Sequence, residues 1–403
     1  MTAADAQRLF AEGVARHKQG RVAEAAQSYA KACAADPASV AAQFNHAVAL
    51  QELGLARDAE SAYLRSLALK PDLVQALNNL ANLCIAQGRL EEAGKLLHRA
   101  LALAPEFAPP YNNLGNMLLR KGLVDAAIER FSQALARDGH YIEARINLGK
   151  ALLTLGRPDD ACLHLEAALA ARPDDAGIRF LRDTASGAQP SRPPDAFVTG
   201  LFDEMADDFD RHLVERLGYR IPERIAEAIG GWLDARARPR RIVDLGCGTG
   251  LLGEQLRGRF EELAGVDLSP KMIERARARG LYTRLVAGEL VAFLAARPAS
   301  SADLLVAADV FVYLGDLGPA CAQAARIAAP GARFVFSVEV AGEGAHFRLQ
   351  STSRYAHGPG YVRALATTHG FEVALESAET IRTERGRPVA GYLYVLSAAV
   401  TPA

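Results

Sequence analysis

The residues of this chain best suited to do chemistry are three alternating glycines and the carboxylate that follows them. Gly246, Gly248 and Gly250 come directly after an apolar segment, residues 241–245, whose composition predicts a buried strand. Asp267 ends a second short apolar strand, 263–266, and lies 21 residues after Gly246. In a doubly wound sheet this separation places an acidic group beside a ribose. The two carboxylate oxygens can accept hydrogen bonds from the two ribose hydroxyls. The pattern predicts a site for a cofactor that contains a nucleoside.

The residue two positions before the first glycine helps to separate two classes of cofactor, because it is Asp244. A dinucleotide lays its pyrophosphate over such a turn, and a carboxylate there would oppose that charge. S-adenosylmethionine has no phosphate and presents an ammonium and a sulfonium, which an acidic strand end suits. Gly248, Gly250 and Gly253 also match the nicotinamide fingerprint, but the first of them falls two residues too late after the strand.

Residues 244–250, Asp-Leu-Gly-Cys-Gly-Thr-Gly, together with Val-Asp-Leu-Ser at 266–269, resemble the first two motifs of the class I S-adenosylmethionine-dependent methyltransferases. The likeness covers about half of the chain. It implies a Rossmann-like α/β domain of seven strands at 197–401, whose last strand inserts antiparallel beside the fifth. The later strands that composition predicts are 283–287, 302–308, 332–340, 371–381 and 389–397, and the helices among them are 270–280, 320–329 and 361–369.

The resemblance also implies which residues bind the cofactor. Those at the ends of the first three strands are Asp244, Gly246, Gly248, Gly250, Asp267, Leu268, Gly288, Glu289 and Leu290. In the family an acidic residue after the third strand usually addresses the adenine amino group, and Glu289 stands here where Asp is the commoner choice. Tyr219 and Arg220 are candidates to reach the methionine carboxylate of the cofactor.

The exit of the fourth strand bears on the type of reaction. Asp309 stands there and is a candidate to line the methyl-transfer cleft, in contact with cofactor or acceptor; the alternative is that it caps the next helix. Family members that methylate the amino groups of DNA bases or of glutamine carry Asn or Asp, two prolines and an aromatic residue at this place. This chain has no prolines there, which argues against that acceptor class. Tyr313 follows as a candidate acceptor contact.

A polar segment, 342–360, follows the fifth strand and is predicted to be a loop at the carboxyl edge of the sheet, where an acceptor would bind. His346 and His357 are, with Asp309, the candidate catalytic bases, since histidine is the commonest general base. The candidate acceptor contacts are Arg348, Arg354 and Tyr355. The alternative is a solvated loop without a catalytic role.

A helix at 200–217 precedes the sheet domain. Its apolar residues fall at helical spacing, at positions Phe202, Met205, Phe209, Leu213 and Leu217. Packing against the sheet would explain this stripe. Class I methyltransferases often place such a helix as a lid over the cofactor, and this segment resembles a bacterial subgroup that joins the domain to helical repeats.

The first half of the chain repeats every 34 residues. A glycine recurs at 20, 54, 88, 122 and 156, and an alanine at 25, 59, 93, 127 and 161. This period, with a proline near the end of most units, is the tetratricopeptide pattern, in which stacked helix pairs share a continuous core. Five repeats occupy 6–175 and a capping helix 178–184, so that a superhelical domain at 1–184 is followed by a linker at 185–196 rich in proline, serine and glycine.

Four asparagines share one position of successive repeats: Asn45, Asn79, Asn113 and Asn147. Stacking would align their amides as a ladder, and an amide can both donate to and accept from an extended peptide backbone. This resembles the asparagine ladder of the protein O-linked N-acetylglucosamine transferases. The sequence therefore predicts a groove that binds a polypeptide or peptide-tethered substrate, and the alternative is hydrogen bonding between repeats.

Composition narrows the remaining classes. The net charge of the chain is −1, whereas a nucleic-acid-binding protein is expected to carry an excess of positive charge. The five cysteines are widely spaced and predict neither disulfides nor a metal site. The N-terminus carries charges within its first twelve residues and has no apolar core, so we expect no signal peptide, and no uncharged stretch reaches the roughly 18 residues of a membrane span. We expect a cytoplasmic protein.

Three functions remain open from the sequence. The favoured one is an S-adenosylmethionine-dependent methyltransferase whose repeats recruit a polypeptide. A second is a small-molecule methyltransferase whose repeats serve for docking or dimerisation. A third is a repeat scaffold whose cofactor-binding domain is not catalytic, since intact binding motifs do not by themselves establish catalysis.

Overall fold

The computed structural model describes residues 2–206, 209–211, 213, 218–235, 240–342, 344–384 and 386–399. They divide into two compact units, Met1–Leu155 and Gly156–Ala403. The first is all helical, and the second begins with five described helices and continues into an α/β sheet. The division falls earlier than the predicted boundary at 184, and the predicted domain end at 401 lies outside the described residues.

The first unit is a series of antiparallel helix pairs joined by tight turns. A glycine closes each turn between the helices of a pair, and Gly20, Gly54, Gly88 and Gly122 have φ between 74° and 77°, a conformation that other residues adopt at a cost. The helices are α1 (Ala3–Lys18), α2 (Val22–Ala35), α3 (Val40–Glu52), α4 (Ala56–Leu69), α5 (Val74–Ala86), α6 (Leu90–Leu103), α7 (Ala108–Arg120), α8 (Val124–Arg137) and α9 (Ile142–Thr154).

The core of this unit depends on small residues where helices cross. Ala25, Ala59, Ala93 and Ala127 are fully buried, which explains why they recur at the period of the repeat. Gly115 in α7 is another close approach, because a Cβ atom there would lie 2.4 Å from the ring of Phe131 in α8. The first helices of neighbouring pairs also touch, α5 with α7 and α7 with α9.

The second unit carries these helices and strands in chain order: α10 (Pro158–Ala171), α11 (Ala176–Ala185), α12 (Asp195–Met205), α13 (Phe209–Arg211), α14 (Ile221–Ala235), β1 (Arg241–Leu245), α15 (Leu251–Gln255), β2 (Glu262–Asp267), α16 (Pro270–Ala278), β3 (Arg284–Ala287), α17 (Leu290–Ala295), β4 (Ala302–Ala307), α18 (Gly318–Ile327), β5 (Ala328–Val340), β6 (Phe347–Leu349), β7 (Tyr355–His357), α19 (Pro359–Thr368), β8 (Phe371–Glu384) and β9 (Arg387–Ala398).

The strands form one mixed sheet. β3, β2, β1, β4 and β5 are neighbours in that order and run parallel, β9 pairs antiparallel with β5, and β8 pairs with β9. β4 is buried along its whole length, as expected for a central strand covered on both faces. The seven strands β1 to β5, β8 and β9, with the last of them antiparallel beside the fifth, confirm the predicted fold class.

The sheet has two strands more than the sequence predicts. β6 and β7 form an antiparallel hairpin inside the segment predicted to be a loop, 342–360. β7 pairs with Glu339 and Val340 of β5, beyond Phe336, the last residue of β5 that pairs with β4. The longer strand leaves backbone groups unpaired at its end, and the hairpin satisfies them.

The segment predicted to be a linker is part of the second unit and is hydrogen-bonded to it. Ser191 accepts from the backbone N–H groups of Gly315 and Asp316, at 2.8 and 3.1 Å, and Pro190 accepts from the hydroxyl of Tyr355 at 2.8 Å. Before it, Phe180 of α11 is buried in a cluster with Phe197, Phe347, Leu349 and Tyr355. This packing explains why α11 belongs to the second unit.

We predict that Gly115→Ala lowers the midpoint of thermal unfolding. The added methyl group has no room beside Phe131, and overpacking costs about 1–3 kcal/mol, more than the roughly 1 kcal/mol that alanine gains over glycine in a helix. The control is Gly94→Ala in α6, whose Cβ would meet Met117 at an ordinary 3.6 Å. Circular dichroism of the full chain should show the first variant less stable and the second at least as stable as the wild type. Equal midpoints for both would contradict the packing.

Candidate functional site

A cavity opens at the carboxyl ends of β1 to β4, the edge at which ligands bind in open α/β sheets. Several of its lining residues were expected from the sequence to touch a cofactor or an acceptor: Tyr219, Asp244, Gly246, Gly248, Asp267, Leu268, Gly288, Glu289, Leu290, Asp309, Tyr313 and Arg354. The cavity thus brings together residues that are far apart in the chain.

The glycine turn after β1 forms the floor of this cavity. Gly246, Gly248 and Gly250 have φ of 62°, 52° and 91°, so all three adopt the left-handed conformation that glycine permits. A Cβ atom on Gly246 would lie 2.4 Å from the side chain of Val310. Gly250 does not line the cavity, and its backbone instead faces Arg279 and Tyr282.

Asp267 is fixed by the backbone around it. One carboxylate oxygen accepts from the N–H of Gly248 and the other from the N–H of Ser269, each at 2.9 Å. Burial raises the pKa of this carboxyl, and the two backbone hydrogen bonds oppose that rise. A carboxylate has about four acceptor positions, so each oxygen keeps one for a ligand. The arrangement suits a pair of neighbouring hydroxyl groups.

Asp244 lies beneath the turn and is 1% exposed. The hydroxyl of Tyr282 donates to its carboxylate at 2.7 Å. Gly265 of β2 makes room for this contact, because a Cβ atom there would lie 2.9 Å from the tyrosine ring. Burial raises the pKa of Asp244 to about 7, against the effect of the tyrosine hydroxyl. This carboxyl therefore changes its charge near neutral pH.

Glu289 marks the end of the cavity next to β3. Its carboxylate accepts from the N–H of Ala292 at 2.7 Å and so caps α17. The other oxygen is 3.9 Å from a guanidinium nitrogen of Arg192, which also lines the cavity.

Asp309 lines the cavity at the end of β4 and has φ of 53°, an uncommon conformation for a residue other than glycine. Its N–H donates to the hydroxyl of Ser337 at 2.9 Å, and both carboxylate oxygens accept from one guanidinium nitrogen of Arg382 at 3.2 Å. Burial raises the pKa of Asp309 to about 6, although Arg382 and Arg354 act to lower it. Asp309 thus lies at the cleft, and its role there stays a prediction.

Arg382 is the centre of a buried ionic network. It is 1% exposed and donates to Asp309, to Glu339 and to Glu384, the last at 2.7 Å. Arg354 also pairs with Glu384, and its Nε is 3.4 Å from the hydroxyl of Tyr313. Removing one partner from such a network typically costs about 3–5 kcal/mol, because a charge remains buried without compensation.

Apolar residues close the outer side of the cavity. Phe202 and Met205 come from α12, Phe209 from α13, and Leu213 follows. The hydroxyl of Thr249 in the glycine turn donates to Asp210, which ties this segment to the turn. The helix predicted at 200–217 ends at Met205, and its positions 207, 208, 212 and 214–217 lie outside the described residues.

Besides Gly250, five residues that the sequence predicted for the site of the methyltransferase domain are not among those that line the cavity. His357 is fully buried, its Nε2–H donates to the carbonyl oxygens of Leu314 and Gly315 at 2.8 and 3.1 Å, and burial lowers its pKa to about 4. A neutral histidine with this role holds a loop and does not act as a base in the cleft.

The others have contacts of their own or are exposed. His346 stacks on Tyr361 with 5.2 Å between ring centroids, and the hydroxyl of Tyr355 donates to the carbonyl oxygen of Pro190. Arg348 and Arg220 are exposed. The hairpin of β6 and β7, which the sequence did not predict, explains why the histidines and Tyr355 of segment 342–360 differ from expectation.

Comparison with known proteins bears on both units. The family model described as a methyltransferase domain matches residues 243–336, and tetratricopeptide repeat models match 74–107 and 118–181. The chain joins tetratricopeptide repeats to a class I methyltransferase domain.

Relatives of the methyltransferase domain are partial matches. Methyltransferase-like protein 27 of Homo sapiens is 40% identical over 86 residues, 21% of this chain and 35% of that protein. Malonyl-[acyl-carrier protein] O-methyltransferase of Halorhodospira halophila is 30% identical over 145 residues, 35% of this chain and 47% of that protein. The chain thus spans less than half the length of either relative. A thermophilic TPR protein of Thermus thermophilus is similar in structure, with 25% identity, a TM-score of 0.41, and coverage of 45% of this chain and 98% of that one.

The methyltransferase domain also contains functional residues that the sequence did not reveal. Tyr282 lies in no motif, and only the glycine at 265 in the facing strand signals that a large side chain crosses there. The burial of Arg382 could not be predicted from the sequence, because β8 is irregular there. Its register with β9 shifts between Thr380 and Arg382, and the consecutive residues Ile381 and Arg382 are both buried. A strand that alternates regularly would have placed one of them in solvent.

In the tetratricopeptide unit, the predicted asparagine ladder is part of a chain of amide hydrogen bonds. Asn147 donates to Asn112 and Asn113 to Asn78, both at 2.9 Å. Asn112 donates to Asn113 at 3.5 Å and Asn78 to Asn79 at 3.2 Å. The chain thus crosses from repeat to repeat, which is the alternative role that the sequence left open.

Asn45 is separate from this chain. Its amide donates to the backbone carbonyl of Ala41 in its own helix at 2.9 Å. Asn113 is 7% exposed, whereas Asn45, Asn79 and Asn147 are half-buried and retain some exposed surface.

Two further findings concern the described residues as a whole. No described helix is both long and apolar enough to cross a membrane. No cluster of three or more His, Cys, Asp or Glu side chains in the described ranges is arranged to hold a metal ion.

We predict that Asp244→Asn stabilises the ligand-free protein, and more so at higher pH. The pKa of Asp244 is raised in the folded state to about 7, so ionisation costs stability as the pH rises from about 4 to 7. Asparagine keeps the acceptor for Tyr282 without the charge. Thermal midpoints of both proteins should diverge over this range, by the equivalent of roughly 1–4 kcal/mol at pH 8. A difference that does not change with pH would contradict the raised pKa.

Proposed function

We propose that this protein is an S-adenosylmethionine-dependent methyltransferase whose tetratricopeptide repeats recruit a polypeptide or peptide-tethered acceptor. The observation that carries the cofactor assignment is Asp267, a half-buried carboxylate held beside the glycine turn with acceptor positions left for a ribose. The whole proposal combines this site with a methyltransferase domain that matches known relatives over part of its length.

The charges around the cavity support this cofactor over one that carries phosphates. Beneath and beside the glycine turn lie two carboxyls, Asp244 and Asp267. Among the described lining residues, the arginines are 192, 354 and 382, and each is within ion-pair distance of acidic side chains. A pyrophosphate would find no unpaired cation at this turn, whereas an ammonium would find carboxylates.

The order of the strands indicates how the cofactor would lie. With the ribose at Asp267 after β2, the adenine extends towards β3 and Glu289, and the amino-acid part towards β1 and β4. Glycine at 246 lets Val310 pack directly against the turn, because a Cβ atom there would lie 2.4 Å from that side chain. The apolar side chains of Phe202, Met205 and Phe209 would exclude water from it.

When bound, the cofactor supplies a methyl group on a positively charged sulfur, which becomes neutral when the methyl is transferred. The chain needs chiefly to hold donor and acceptor in line, and positioning of this kind can supply several kcal/mol of the barrier. Asp309 is the candidate base for an acceptor that arrives protonated, because its pKa near 6 leaves it mostly ionised at neutral pH.

Recruitment of a polypeptide rests on the repeats. Tetratricopeptide repeats present extended surfaces for protein binding, and Asn79 and Asn147 keep exposed surface although they take part in the amide chain. The relative from Halorhodospira halophila bears a name that describes an acceptor carried on a protein. A small-molecule acceptor is the second candidate, favoured by the use of the asparagine amides between repeats.

We predict that Asp267→Ala weakens the binding of S-adenosylmethionine roughly 10- to 100-fold, because a hydrogen bond to a charged acceptor contributes about 1.5–3 kcal/mol. Isothermal titration would measure the dissociation constants. Glu262→Ala on the same strand is the control, since Glu262 lies outside the cavity and is partly exposed. Unchanged affinity for the Asp267 variant would remove the basis of the cofactor assignment.

We also predict that replacing all four ladder residues, Asn45, Asn79, Asn113 and Asn147, by alanine abolishes methylation of a protein acceptor and leaves cofactor affinity unchanged. The control is Asn78→Ala with Asn112→Ala, which breaks the same amide chain without touching the ladder positions.

The acceptor would be found by incubating the protein with cell lysate and methyl-labelled cofactor. Label in a protein band that the ladder variant loses and the control retains supports recruitment of a polypeptide. Label in an extractable metabolite, obtained equally with the wild type, the ladder variant and the control variant, supports the small-molecule alternative. Cofactor binding without label anywhere would favour the non-catalytic scaffold.

A further inference from the structure

The segment between α11 and α12, residues 186–194, reaches the wall of the methyltransferase cavity at Arg192 and Pro193, and we name it the strap. Its composition predicts a flexible linker, yet it is anchored at consecutive positions. Gln189 accepts from the N–H of Leu349 at 2.6 Å, Pro190 from Tyr355, and Ser191 from Gly315 and Asp316. These bonds fix the course of the strap just before it reaches the cavity.

The strap then contributes directly to the cavity wall. Arg192 and Pro193 line it together with Gly288, Glu289 and Leu290, which follow β3. A guanidinium nitrogen of Arg192 is 3.9 Å from the carboxylate of Glu289, and another donates to Asp195 at the start of α12. The side chain is about half exposed at 47%, so part of its surface remains available to a ligand.

We infer that the strap is part of the cofactor site and that Arg192 contacts the adenine ring; this rests on the function proposed above. The end of the cavity beside β3 is the end to which an adenine would extend from a ribose at Asp267. A guanidinium is planar and packs well against an aromatic face, where its charge is attracted by the π electrons. Asp195 and Glu289 fix the orientation of the Arg192 guanidinium. They also neutralise its positive charge, so that it would not attract a phosphate.

The inference has a structural consequence for the chain. The strap continues directly from α11, whose Phe180 packs in one cluster with Phe197, Leu349 and Tyr355. The methyltransferase site therefore begins before the predicted domain start at 197. A fragment starting there lacks one wall of the adenine end and should not bind the cofactor with full affinity.

The experiment compares the full-length wild type with Arg192→Ala, Arg192→Lys and Arg179→Ala. Arg179 lies on α11, is exposed and does not line the cavity, so its variant is the matched control. Two probes are titrated calorimetrically: S-adenosylhomocysteine, and 5′-methylthioadenosine, which keeps the adenosine but lacks the amino-acid part.

Arg192→Ala should raise the dissociation constants of both probes by a similar factor, about 3- to 30-fold. Arg192→Lys keeps the charge without the planar group, so its dissociation constants should lie between those of the wild type and of Arg192→Ala. Arg179→Ala should match the wild type. The inference is overturned if Arg192→Ala binds both probes as tightly as the wild type, or if only S-adenosylhomocysteine is weakened. A wild type that binds neither probe would instead overturn the proposed function, and the assignment of Arg192 with it.

Discussion

The methyltransferase domain is built around three carboxyls that are wholly or partly buried at one edge of its sheet. Asp244 lies next to the end of β1, Asp267 ends β2 and Asp309 follows β4; Asp244 is fully buried, the other two are half-buried, and burial raises the pKa of all three. A buried carboxylate is costly unless donors surround it. Most of the unusual features of the domain supply those donors, and the shape of the cavity follows from how they do so.

Each carboxyl is satisfied by a different kind of partner. Asp267 uses backbone N–H groups, which hold the glycine turn in place. Asp244 uses the hydroxyl of Tyr282, which reaches it only because β2 has a glycine at 265. Asp309 uses Arg382, which requires two further acidic residues and a second arginine around it. The need to satisfy these carboxyls thus has three results. The turn at Asp267 is rigid, the charge of Asp244 responds to pH, and Asp309 belongs to an ionic network.

The sequence predicts the parts of this fold that depend on local pattern. The buried strands, the glycine turn and Asp267 are set by apolar runs and fixed spacing, and the repeat turns by a glycine every 34 residues. It does not predict the hairpin of β6 and β7, because three-residue strands have too short a pattern, or Arg382, because an irregular register places it inward. The asparagines show the same limit: their period was evident, but their bonding depends on Asn78 and Asn112, one position away.

The ionic network also has a consequence for how the domain is assembled during synthesis. Asp309, Glu339 and Arg354 are translated before Arg382, which belongs to the strand pair that completes the sheet at β5. Domains fold as their chain emerges from the ribosome. Until β8 has emerged, Asp309 and Glu339 lack Arg382 as their counter-charge, so the end of the cavity beside β4 is without its central ion pairs. The nascent domain has the residues of its glycine turn early, but the ionic network around Asp309 is completed last.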